Sequence, residues 1–206
     1  MSERGAVSYV AVSQRVVVDA HGTRNDALDR RWAAFLLHCG LLPLPLPNDT
    51  TAALGVLRRS PVRGVLLTGG NDLAAYGGDA PERDAAELAL LDAAERRGLP
   101  LLGVCRGMQI LQHRFGVPLT RVRGHVAERQ MLTVDGRERV ANSYHTWAAT
   151  RTRPPLQVWA TGPGKVIKAV RHENAPLAGI MWHPERMTPF AEDDRALFHD
   201  WFGASA

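Results

Sequence analysis

Short apolar runs alternate with amphipathic segments through the first half of the chain, and no other feature restricts the accessible folds as much. "VSYVAV" (7–12) is β-branched and apolar, as a buried strand is. In the segment that follows, "RNDALDRRWAAFLLHCG" (24–40), Leu28, Trp32, Phe35 and Leu36 recur at helical spacing, and Gly40 marks a stop. "LLPLPLP" (41–47) reads as an extended segment, because each proline fixes its own φ and biases its predecessor, and its prolines suggest an edge position. A short helix is expected near 50–58, a buried strand in "GVLLTGGN" (64–71), a helix of strong propensity over 82–98 and a further strand in "LPLLGV" (99–104). This succession predicts βαβ units: an α/β protein with a parallel sheet and helices on both faces. Beyond about residue 117 the strands "VWATG", "KVIKAVRHE" and "LAGIMWHPE" are punctuated by Gly and Pro, so an antiparallel extension of the same sheet is expected, closed by a capped helix in "DDRALFHDWFG".

With 206 residues, 45% of them hydrophobic, one core and one domain spanning 1–206 are expected. All but two of the 25 basic residues are arginines, scattered with no basic face, so nucleic acid is not an expected partner. No apolar run reaches the ~20 residues of a membrane helix. The N-terminus has no leader pattern and the two cysteines suit free thiols, which points to the cytoplasm.

Three motifs carry chemistry. In "GVCRG", Cys105 sits where a strand gives way to a helix, with Gly103 and Gly107 allowing a tight turn. The arrangement matches the elbow that presents a nucleophile in G-x-S-x-G hydrolases. The helix start favours a thiolate there. The plainer account, a buried inert thiol, suits Cys39 at the end of its amphipathic helix better. In "IMWHPER", an extended backbone would send His183 and Glu185 to one side, so that the carboxylate orients the imidazole. In "LLTGGN", the glycine pair suits a backbone oxyanion donor, although an ordinary turn uses the same residues. No His and Cys spacing fits a metal site, and no Walker or dinucleotide loop is present, so neither metal nor cofactor is expected.

Together these motifs resemble the class I glutamine amidotransferase superfamily, in its peptidase C26 or γ-glutamyl hydrolase branch. The resemblance spans essentially the whole chain and implies a flavodoxin-like open sheet. It makes Cys105 the nucleophile, His183 the acid and base, and Glu185 its orienter, with the Gly70 and Arg106 N–H groups holding the oxyanion. Gln109, Ser143 and Tyr144 fall at positions that grip a glutamyl group. Through "VSQR", "LPLPLP", "GGNDL", "GVCRGMQ", "GHVAE", "NSYHTWA" and "RHENAPLAGIMWHPER", the chain more closely resembles hydrolases of γ-glutamyl-CDP-amidate than glutaminase subunits. Those hydrolases release glutamate and cytidine diphosphoramidate in bacteria with phosphoramidate-decorated capsules. The implied partner is a small γ-glutamyl substrate, nucleotide-linked, with Arg15, Asn71, His125 and Arg186 as candidate contacts to the nucleotide; a homodimer is left open. Competing readings are a glutaminase feeding ammonia to a separate synthetase, a hydrolase of another γ-glutamyl amine, and a catalytically silent binding module. A cysteine peptidase or chaperone of related fold would place its histidine close after the cysteine, unlike His183.

Overall fold

The computed structural model describes residues 8–203. Val7 of the expected first strand, residues 1–7 of the N-terminal stretch read for a leader and residues 204–206 lie outside them. The first half comprises β1 (Tyr9–Val12), β2 (Arg15–Val18), β3 (Arg24–Ala27), α1 (Arg30–His38), β4 (Leu42–Pro45), α2 (Thr50–Arg59), β5 (Val62–Leu67), α3 (Pro81–Arg97), β6 (Leu101–Val104) and α4 (Arg106–Arg114). The second half adds β7 (Thr120–Arg121), β8 (Val126–Val134), β9 (Arg137–Tyr144), β10 (Trp147–Ala148), β11 (Leu156–Thr161), β12 (Ile167–His172), β13 (Leu177–Ile180) and α5 (Glu192–Phe202).

Nine strands form the central sheet in the order β4-β1-β5-β6-β13-β12-β11-β8-β9. The first five are mutually parallel and reproduce the doubly wound order 2-1-3-4-5, whereas β12, β11, β8 and β9 add antiparallel neighbours. Strand β4, with Pro43 and Pro45, lies at the sheet edge as its prolines demand.

Alternation along each strand divides the core. Val10 and Val12 of β1, Leu66 of β5 and Leu102 and Val104 of β6 pack against Trp32, Phe35, Phe198 and Phe202 of α1 and α5. Ala11, Val65, Leu67 and Leu101 face the other way, toward Ala53, Leu57, Leu90, Leu91, Met108 and Leu111 of α2, α3 and α4. Each large aliphatic side chain buried here is worth about 1.5–3 kcal/mol, so the two half-cores fix the sheet independently of any one helix.

Three expectations need correction. Residues 24–27 are not helical; they form β3, paired antiparallel with β2. Asp29 caps α1 by accepting from the Arg31 N–H, while Asp26 is used instead to bind the backbone N–H and side-chain amide of Asn48. Strand β13 belongs to the parallel half, in register with β6 (Gly103 opposite Gly179). Finally, α5 starts without a side-chain cap: of its three first-turn acids, Asp194 points inward to accept from Trp182 Nε1 at 2.8 Å and to pair with Arg139 at 2.6 Å.

Helix α4 lies unusually close to the sheet. A Cβ on Gly103 would collide with the Gly107 carbonyl and the Met108 amide, and one on Gly107 would collide with the Leu67 carbonyl. Backbone cannot yield as a flexible side chain does. Gly103→Ala is therefore expected to destabilise the protein by about 3 kcal/mol in urea unfolding; an unchanged midpoint would mean that α4 can lift off the sheet freely.

Candidate active site

Strands β5, β6 and β13 end at the same edge of the sheet, and the turns that leave them carry Gly69–Gly70, Cys105 and His183. Ligands of open α/β sheets bind at this edge. Cys105 caps α4 with φ 54° and ψ −104°, a conformation that costs a non-glycine residue of order 1–3 kcal/mol. It is held there by its N–H donating to the Ile180 carbonyl (2.7 Å) and by the packing of α4. The thiol is not sealed off: it lines a pocket of about 350 Å³ together with Gly70, Arg106, Gln109 and Tyr144.

His183 is fixed from three sides. Asn142 clamps its backbone, accepting from the N–H (2.7 Å) and donating to the carbonyl (2.8 Å). Its Nδ1 lies 2.7 Å from Glu185 Oε1, which leaves Nε2 for the hydrogen bond to Cys105. Glu185 reaches the ring differently from the expected strand alternation: Pro184–Arg186 is a 3₁₀ turn, closed by the Arg186 N–H on the His183 carbonyl. A Cβ on Gly69 would come within 2.7 Å of His183 Cε1, so only glycine leaves the ring its place beside the thiol. Burial works against an imidazolium here, but the Cys105 thiolate and the Glu185 carboxylate outweigh it and push the His183 pKa up to about 9. The His183 imidazolium is thus favoured at neutral pH beside the thiol.

Of the remaining residues singled out in the sequence, Gly70 (φ 87°) and Arg106, the first residue of α4, border the same pocket as the thiol. Gln109 is buried in the pocket wall and donates to the Trp147 carbonyl (2.9 Å). Tyr144 lines the pocket and stands edge-on to the His183 ring. Asn71 also borders it, but its amide is engaged with both backbone groups of Val16 and pins the β2–β3 hairpin. Arg15 and Arg186 flank a narrower cleft against Gly69, His183 and Glu185. Arg186 also pairs with Glu185 at 3.3 Å and lies over the Tyr144 ring.

Two expected contacts, Ser143 and His125, do not line the pocket. The Ser143 hydroxyl is buried, donating to the His125 carbonyl (2.7 Å) and accepting from Lys168 Nζ (2.8 Å). His125 is buried against Gln130 and stacked on His145.

Several residues escaped the sequence reading. Asn142 sits beside two residues of "NSYH" that were singled out. Lys168, on β12, is buried and meets Ser143 and His145 Nε2, each at 2.8 Å; burial lowers its pKa to about 8, although the Cys105 thiolate opposes the fall. Burial and the Lys168 charge push His145 down to about 2, so it presents a neutral ring to the pocket. Cys39, by contrast, is buried with its thiol pushed up to about 12, in keeping with an inert packing role.

A doubly wound sheet with a cysteine elbow and a downstream histidine and glutamate defines a class I glutamine amidotransferase-like protein. Within that class the chain belongs to the peptidase C26 family, whose model matches residues 9–129 and 119–185. It is 24% identical to the gamma-glutamyl-CDP-amidate hydrolase of Campylobacter jejuni, over 94% of this chain and 97% of that one. It is 26% identical to the gamma-glutamyl-gamma-aminobutyrate hydrolase of Escherichia coli O157:H7, over 89% and 88%. A Thermoplasma acidophilum protein described as a GMP synthase component shares the fold, with a TM-score of 0.72 at 16% identity over 96% of this chain and 93% of its own. At the level of the family, the activity is hydrolysis of an amide bond. Among the described residues no helix is long and apolar enough to cross a membrane.

Proposed function

We propose that the chain is a single-domain thiol hydrolase of γ-glutamyl amides, with Cys105, His183 and Glu185 as its triad. The observation that carries this reading is the buried run from Glu185 Oε1 to His183 Nδ1 (2.7 Å) and on to the Cys105 thiol, at an elbow of positive φ. Cys105 Sγ adds to the γ-carbonyl carbon, and the carbonyl π electrons move onto oxygen, which accepts from the Gly70 and Arg106 N–H groups. Collapse breaks the carbon–nitrogen bond as the His183 imidazolium gives its proton to the departing nitrogen. A γ-glutamyl thioester and a neutral imidazole remain. His183 then takes a proton from water, whose oxygen attacks the thioester, and glutamate and the thiolate are released. Gln109 and Tyr144 form the side of the pocket where the glutamyl group would lie.

For the leaving group, the favoured reading is a cytidine diphosphate amidate, giving cytidine diphosphoramidate for capsule modification. Its support is the end-to-end match with the Campylobacter protein and the presence of Arg15 and Arg186 in the cleft beside His183. The same two cations also suit the carboxylate of a γ-glutamyl-γ-aminobutyrate leaving group, and that second reading has the Escherichia relative in its favour. Glutamate release from γ-glutamyl-CDP-amidate, γ-glutamyl-γ-aminobutyrate and glutamine, compared side by side, separates them. The nucleotide substrate is expected to give a kcat/KM at least about 10²-fold above the others, since a site built for charged groups discriminates strongly against substrates that leave them unpaired. Preference for the aminobutyrate substrate would replace the nucleotide assignment, and preference for glutamine would favour an ammonia-supplying role.

A further inference from the structure

Helix α3 sends two side chains into the protein that the triad does not use. Arg83 and Glu87, one turn apart, are fully buried. The Arg83 guanidinium holds three consecutive backbone carbonyls after β5: Thr68 (2.7 Å), Gly69 (3.1 Å) and Gly70 (2.6 Å). Its Nε donates to Glu87 Oε1 at 2.9 Å. The other Glu87 oxygen takes the side chain of Arg106, which also pairs with Asp84. Ser13 closes the set, accepting from the Thr68 N–H at 2.9 Å and bonding to Glu87.

This connectivity bears on the reacting atoms. The two N–H groups assigned to the oxyanion belong to Gly70 and Arg106, on separate segments, and one carboxylate ties both down. A peptide plane has one rotational freedom once its carbonyl is held, so fixing the carbonyls of residues 68–70 fixes the directions of the intervening N–H groups. Glycines at 69 and 70 would otherwise leave that strand end free to turn.

We infer that Arg83 and Glu87 are positioning residues for the oxyanion site, setting the separation and direction of its two backbone donors. The inference rests on the γ-glutamyl hydrolase reading given above. Arg83 touches no substrate; it acts through the peptides of residues 69–71. A lysine at 83 would keep the charge but not the fork that spans three carbonyls and a carboxylate.

The test compares Arg83→Lys and Glu87→Gln with the parent protein, using three readouts. Turnover of the preferred γ-glutamyl amide should fall by roughly 30- to 100-fold in kcat with KM within about 3-fold, because the donors act on the transition state and not on the bound amide. Affinity for a γ-glutamyl aldehyde should fall by a similar factor. Its carbonyl carbon takes the Cys105 sulfur and its oxygen takes the thiol proton, placing an oxygen in the same donors. Alkylation of Cys105 by iodoacetamide forms a sulfur–carbon bond, expels iodide and uses no oxyanion donor, so its rate should stay within about 2-fold of the parent's. Unchanged kcat in both variants would overturn the inference. So would alkylation and aldehyde affinity falling together, which would indicate a loosened fold. Failure of the underlying reading shows separately, in the parent protein: no hydrolysis of any γ-glutamyl amide, or activity that survives in Cys105→Ala.

Discussion

Cys105→Ala is expected to lower kcat for γ-glutamyl amide hydrolysis by roughly 10⁴-fold or more while leaving the unfolding free energy from urea titration within about 1 kcal/mol of the parent's. The loss is large because the thiol at the elbow is the group placed to form the covalent intermediate beside His183. Gln109 is bound to the Trp147 carbonyl, and His145 is a neutral ring whose Nε2 is taken by Lys168. Stability is little affected because alanine meets the same positive φ and the same packing of α4, and only a sulfur at the pocket surface is lost. Steady-state kinetics beside urea unfolding tests both halves at once; residual activity above about a hundredth of the parent's would remove Cys105 from the reaction.

Glu185→Gln is expected to cost roughly 10³-fold in kcat and to change the pH profile in a defined direction. In the parent, His183 keeps its proton up to about pH 9, so activity that depends on the imidazolium declines on the alkaline side through that value. Glutamine removes one of the two charges that raise the His183 pKa, and the alkaline limb should therefore move to lower pH. An alkaline limb that stays in place would mean the thiolate alone sets it. The same shift links folding to pH. The contribution of His183 to stability is fully present below its ordinary pKa of 6.5, where folded and unfolded chains both hold the proton, and it is lost as pH rises through about 9.

What the sequence could reveal depended on how local the cause was. Strands β1, β4, β5 and β6 of the parallel half were legible because each carries its own apolar run, whereas β13 gave no local sign that it runs parallel to β6. The Cys105 elbow was legible for the same reason, since Gly103, Cys105 and Gly107 are spaced by the close approach of α4 to the sheet. The His183 and Glu185 pairing was expected for the wrong local reason, a strand in place of a 3₁₀ turn, yet two residues' separation brings the groups together either way. Ser143 does not line the pocket because a remote partner takes up its hydroxyl, Lys168 on β12, separated from β9 by two strands in the sheet order, whereas His125 is held by Gln130 only five residues on. Arg83 and Glu87 were missed because an Arg and a Glu four residues apart look alike on a solvated helix face and under a strand end.

The pocket draws one side from the centre of the sheet and the other from one of its edges. The reacting groups sit on turns after β5, β6 and β13, whereas Tyr144, His145 and Thr146 come from the end of β9, the last strand of the antiparallel edge, and the turn that leaves it. The thiol and the facing wall of the pocket are therefore separately heritable in this architecture. The segment after β9 can change without disturbing the thiol, provided Asn142 stays, the rivet by which β9 holds the His183 backbone. A change at the β6–α4 elbow has no such latitude, because it alters the rate on every substrate together.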